Sequence, residues 1–240
     1  RILASDNIYY CEPYKSNFIK GEDHLLKSYC NLFGVEYDTS IRPQLYTDHL
    51  KPVADEWLSK NNISDYIMVQ FSGGQTPIGY NNAKGYASSN AGRNYPNYFA
   101  QGIVNALKEQ YPDTTIIDCT LPNEPGYLNT VKCDQHWAIV HEMLKRAKGF
   151  ISIDSCLQHF SASTQTRGVV IWGNTRWTQF GWMHNKNMSF HDKNRFNTYY
   201  KMDINDPRNI MVDPQSVLDT YINHVHDKKP NAEEIKCAHK

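Results

Sequence analysis

Apolar residues recur along this chain at two spacings, and the two alternate. Spacings of three and four mark a helix over 22–33, where Leu25, Leu26, Tyr29, Leu32 and Phe33 form one stripe and Gly34 ends it. A second helix is predicted over 48–60 on Leu50, Val53, Ala54, Trp57 and Leu58, with Pro52 in its first turn, where proline is tolerated. Further stripes place helices over 96–110 (Phe99, Ile103, Leu107, Tyr111) and after Asp134 as cap (Trp137, Val140, Leu144, Ala147). The last follows Asp213-Pro214 and carries Val217, Leu218, Tyr221, Ile222 and Val225. Between these stripes lie short apolar runs of strand length: 66–71 (YIMVQF), 114–119, 150–153 and 168–173. Residues 2–10 suggest one more strand, and 43–46 a short extended piece.

From Tyr66 to about His226 strands and helices alternate, the pattern of an α/β, Rossmann-like, doubly wound parallel sheet. The segment 79–92 is a long Gly/Asn/Ser-rich stretch, of a length that is usually functional or disordered. No element is assigned between Trp182 and Met202, and the last dozen residues are charged and expected to fray.

Composition narrows the class without naming a function. The 240 residues are 40% apolar and 12% aromatic, which suits a globular core. Twenty-five Lys and Arg balance 25 Asp and Glu, which argues against nucleic acid or an anionic membrane as partner. No apolar run reaches the roughly 20 residues of a spanning helix. Six scattered cysteines without a CxxC point to a reduced, cytoplasmic protein.

Candidate chemistry centres on 150–182, a strand, sharp turn, helix and strand that together make a βαβ unit. Ligands of such sheets sit at the carboxyl ends of the strands, where Asp154 and Ser155 fall. Asp154-Ser155 has two readings: a plain helix cap, or an anion site in which the first helix amides and the dipole attract phosphate. His159 lies one turn on and brings a third polar side chain to the group. Ser155 lacks the flanking glycines of a hydrolase nucleophile elbow. The histidine pairs lack metal-ligand spacing, so no metal site is expected. After the 66–71 strand, Ser72, Gly73, Gly74, Gln75 and Thr76 form a turn whose amides can approach a phosphate. Arg93 is the nearest cation able to close on that phosphate, or else a solvated loop charge. Glu124, in the 121–127 loop, is placed to accept hydrogen bonds from a ribose.

These residues carry a resemblance. FISIDSCLQHFSA (150–162) resembles the D-S-G-x-x-H-x-A motif of the heptosyltransferase-like glycosyltransferases, glycosyltransferase family nine. The strand and turn VIWGNT (170–175) and FGW (180–182) are similar to that family's aromatic-Gly-x-Thr turn and downstream W-G-P. RNYPNYF (93–99) resembles its K-x-W-P-x-x-x-F segment, and GEDHLLKSY (21–29) the histidine-containing helix before its domain linker. The resemblance implies a GT-B fold of two facing Rossmann-like domains. On it, 1–62 are a remnant of the N-terminal acceptor-side domain and linker, 63–228 the nucleotide-sugar-binding domain, and 229–240 a charged tail.

Carried over, Asp154, Ser155, Cys156 and His159 lie at the donor diphosphate and sugar, Ser72 to Thr76 and Arg93 face the phosphates, and Glu124 nears the ribose. The implied reaction is metal-independent transfer of a hexosyl or heptosyl group from a nucleoside-diphosphate sugar, which is substrate rather than cofactor, to an unidentified acceptor such as a glycan. Two departures matter: Cys156 replaces the motif glycine and Ser161 the alanine. The family's general base belongs to an early stretch that this chain is expected not to include, so no catalytic residue is assigned. A non-catalytic binding or assembly protein retaining the fold is the alternative.

Overall fold

The computed structural model describes residues 13, 17–73, 94–120, 124, 126–173, 175–189, 210–231 and 234. The strand expected over 2–10 and the polar segment 79–92 lie outside these residues.

Among them, six strands form one sheet: β1 (Tyr66–Gln70), β2 (Thr115–Asp118), β3 (Val131–Lys132), β4 (Phe150–Ile153), β5 (Gly168–Trp172) and β6 (Lys186–Ser189). Their order is β3-β2-β1-β4-β5-β6, and every neighbouring pair is parallel. This is the doubly wound order in which the chain reverses its direction of travel between β1 and β4. The eight α-helices of the described residues are α1 (Asn17–Lys20), α2 (Leu25–Phe33), α3 (Lys51–Lys60), α4 (Asn97–Gln110), α5 (Trp137–Leu144), α6 (Cys156–Thr164), α7 (Trp177–Phe180) and α8 (Pro214–His224).

Successive strand residues point to opposite faces. Ile67, Val69, Ile151 and Ile153 meet Ile103 and Leu107 of α4 and Val217 and Tyr221 of α8. Met68, Phe150, Val170 and Trp172 meet Trp57 of α3, Val140 and Met143 of α5 and Leu157 of α6. Both faces are therefore covered, which is why these strands read as unbroken apolar runs rather than alternating ones. Each such side chain removed from water contributes about 1.5–3 kcal/mol. One contact depends on a missing side chain: a Cβ on Gly168 would lie 2.2 Å from the Phe150 ring. The ring of β4 thus lies directly on the backbone of β5.

Element ends differ from expectation in instructive ways. The helix expected from residue 22 starts at Leu25, because the His24 ring accepts the Leu26 N–H as cap, and Gly34 closes it at φ 66°. Asp134 does not cap α5; His136 does so through its ring, and Asp134 accepts Trp57 Nε1–H at 2.8 Å. Asp213 caps α8 as expected, accepting from Ser216 N–H. The unassigned stretch after Trp182 supplies β6, an edge strand whose four residues KNMS are all half-buried. β3 is two residues long and gave no apolar run. The helix over 22–33 forms, but α2 buries none of its residues.

Candidate functional site

The chain leaves β1 for α4 on one face of the sheet and leaves β4 for α6 on the other. The adjacent strands β1 and β4 thus form the switch point of the sheet, the place where doubly wound folds bind ligands at the carboxyl ends of their strands. Ser72 and Gly73 follow β1 there, and Asp154 and Ser155 follow β4. Ile153 Cδ1 lies 3.7 Å from where a Gly73 Cβ would stand, so the turn after β1 reaches the end of β4.

The β1 side is pinned from two directions. Gly73 N–H donates to Asn94 Oδ1 at 2.8 Å, tying the turn to the residues just before α4. Ser72 Oγ donates to Glu124 Oε1, and Lys132 Nζ donates to the Glu124 carbonyl. Glu124 is buried. The structure thus brings Ser72, Gly73 and Glu124 together, with the Glu124 carboxylate already serving Ser72. Gly74, Gln75, Thr76 and Arg93 lie outside the described residues.

On the β4 side Asp154 is a scaffold. Its Oδ2 accepts Thr175 Oγ–H at 2.6 Å, fixing the turn after β5. Its Oδ1 faces Gln158 Nε2 at 3.5 Å, one turn into α6. Ser155 holds the N-cap position of α6 but makes no side-chain cap hydrogen bond. Its hydroxyl instead donates to Gln70 Oε1, at the end of β1, at 2.7 Å. Of the two readings open from the sequence, the side-chain cap is therefore not what Ser155 provides, and the first amides of α6 receive no oxygen from it.

Cys156, the first residue of α6, points its thiol at the same Gln70 oxygen at 3.6 Å. Burial pushes that thiol up to about 12, with backbone N–H groups of Cys156 and Leu157 offsetting part of the effect. A neutral sulfur thus stands beside the helix start, where glycine would leave open space. His159 is exposed; its ring nitrogens lie 2.9 and 3.2 Å from Gln158 Nε2, so it is linked to Asp154 through Gln158.

Three residues at this switch point were not singled out from the sequence as site residues: Gln70, Asn94 and Thr175. Gln70 had a signal, an amide side chain within the otherwise apolar and aromatic run YIMVQF; in the fold it is 3% exposed, and a buried polar group needs a reason. Asp118, at the end of β2, is likewise buried. Burial raises its carboxyl above the ordinary range, and the Thr120 N–H, donating at 3.0 Å, opposes that rise. On the other flank, α1 docks beside the site: Arg176 donates to the Lys20 carbonyl at 3.0 Å, and Phe18 meets the Phe180 ring edge-on at 5.6 Å.

No family model matches the chain, and no curated protein matches it. Its architecture is similar to that of solved glycosyltransferases. A glycosyl transferase family 9 protein from Veillonella parvula DSM 2008 superposes with a TM-score of 0.58 at 11% identity, over 82% of this chain and 58% of that one. E. coli heptosyltransferase WaaC with ADP gives a TM-score of 0.44 at 10% identity, over 82% of this chain and 53% of that one. The chain therefore spans little more than half the length of either protein, and the likeness to the Veillonella protein is one of fold.

Proposed function

We propose that this chain is the nucleotide-sugar-binding part of a glycosyltransferase of GT-B architecture, acting on a nucleoside-diphosphate sugar and an acceptor such as a glycan. One observation carries the reading: the turn after β1 and the start of α6 meet at the β1–β4 switch point, where Ser155 leaves the first amides of α6 uncapped by its side chain. Amides and a helix dipole aimed at one spot favour an anion there. In a transfer reaction they would stabilise the leaving diphosphate electrostatically. Asp154 contributes by holding Thr175 and α6 in register. Ser72 and Gly73 would face the phosphates, and Glu124, whose carboxylate reaches the same turn, would accept from a ribose. The likeness in fold to a family 9 glycosyl transferase supports the choice among anion-binding functions.

Calorimetry with a panel of nucleoside diphosphates tests this. At least one should bind, and Asp154→Ala and His159→Ala should weaken it; no binding by any of them would sink the reading. Cys156 favours a second one, a non-catalytic binding protein that keeps the fold, because its thiol stands beside the amides the diphosphate needs. Cys156→Gly separates the two: a large gain in affinity marks a site that has drifted from its ligand.

A further inference from the structure

Outside the switch point, two cysteines close the ends of β2 and β3. The last paired residues of these strands are Asp118 and Lys132, and Cys133 N–H donates to the Asp118 carbonyl at 2.8 Å. Cys119 and Cys133 therefore stand opposite each other one step further on. Parallel neighbours are about 4.8 Å apart, inside the Cα separation a disulfide spans. Both side chains enter the same core, beside Trp57 and Val140. Both are free thiols. Their access differs. Cys119 is 2% exposed and Cys133 5%, but Cys133 lines a cavity of about 350 Å³ together with Trp57, Lys60, Lys132 and Asp134.

We propose that Cys133 and Cys119 form a redox-active dithiol, in which Cys133 is the attacking and Cys119 the resolving residue, and that small organic disulfides entering the cavity convert it to a cross-strand disulfide. The Cys133 thiolate attacks one sulfur of the small disulfide. That S–S bond breaks, and one small thiolate leaves with the electron pair and takes up a proton. Cys119 then gives up its proton to solvent and attacks Cys133 Sγ, expelling the second small thiolate. Two protein thiols are oxidised by two electrons, and one small disulfide is reduced to two thiols. The order of events follows from access: Cys133 lines the cavity, whereas Cys119 does not and is 2% exposed. The bond ties the two ends of the segment that carries Glu124, so oxidation stiffens the β2–β3 connection. This proposal does not depend on glycosyl transfer.

The test treats the native, reduced full chain with bis(2-hydroxyethyl) disulfide, quenches with acid and maps cysteines by peptide mass spectrometry. The wild-type chain should lose two hydrogens and yield a Cys119–Cys133 linked peptide, with a higher Tm that dithiothreitol reverses. Cys119→Ser should instead accumulate the hydroxyethylthio adduct on Cys133, and Cys133→Ser should leave Cys119 unmodified. The wild-type result stands even if a variant fails to fold. Native protein in which both thiols stay unreacted, or in which an adduct forms without the cross-link, would overturn the proposal and leave the pair as two small core residues.

Discussion

The same strands end in two different ways. At the amino end of the sheet the charged groups are paired: Lys148 lies 3.0 Å from Asp227 and 3.4 Å from Asp65, all three substantially exposed, and the mostly buried Arg167 pairs with Glu234. What that end buries is fitted and bonded. Phe150 lies on Gly168, Tyr66 donates to the Met143 carbonyl at 2.7 Å, and Asn185 accepts the Gly168 N–H at 3.0 Å. The carboxyl end buries Gln70, Asp118, Glu124 and Asp154 within a few residues of one another. Burying carboxylates is costly unless they are paired or hydrogen-bonded, and nothing in the sheet itself requires them there. The amino end is finished by packing; the carboxyl end is held together by hydrogen bonds among buried polar side chains. That contrast is the physical argument that the second end is the functional one.

Substitutions can break the contrast or sharpen it. Phe150→Ala should have the largest effect, a loss of ~3–5 kcal/mol of stability in urea titration, with nucleotide affinity retained in the protein that remains folded. The pH dependence comes next. Burial holds His184 down at about 4, and its Nε2 is 3.1 Å from Ser161 Oγ. In the window from its unfolded value near 6.5 down to about 4, the unfolded chain binds the extra proton. Stability contributed by neutral His184 is therefore complete above that window and is lost as pH falls through it. The size is about 3 kcal/mol, and His184→Asn should flatten the curve. Gly168→Ala should cost ~1–3 kcal/mol by driving a methyl into the Phe150 ring. Abolition of nucleotide binding by Gly168→Ala in a folded protein would break the contrast.

At the other end, Asp154→Ala should weaken nucleoside diphosphate binding about tenfold, or ~1.4 kcal/mol, by releasing Thr175 and the start of α6. The smallest effect belongs to Lys148→Ala, at most about 1 kcal/mol, with binding unchanged.

How much of this was readable before the fold was known depended on burial. β1, β4 and β5 are covered on both faces, so their apolar runs stood out, and the turn at Asp154-Ser155 followed from the run that precedes it. β6 lies at the sheet edge with every residue half-buried, and its KNMS sequence carries no period. The stripe of α2 correctly indicated a helix, yet Leu26, Leu32 and Phe33 remain 36–45% exposed. Amphipathic spacing shows that a helix forms, not what it packs against. At the site, Asp154 and Ser155 were visible because their residue types suit a helix start. Gln70, Asn94 and Thr175 act through partners 85, 21 and 21 residues away, and only tertiary structure brings such partners together.

The central claim is that the β1–β4 switch point holds a diphosphate. Crystals of the full chain soaked with the nucleoside diphosphate that binds best would test it most directly. Density for the two phosphates between the Ser72–Gly73 turn and the backbone N–H groups of residues 156–158 is the predicted result. Phosphate density elsewhere on the protein, with none at this switch point, would contradict it.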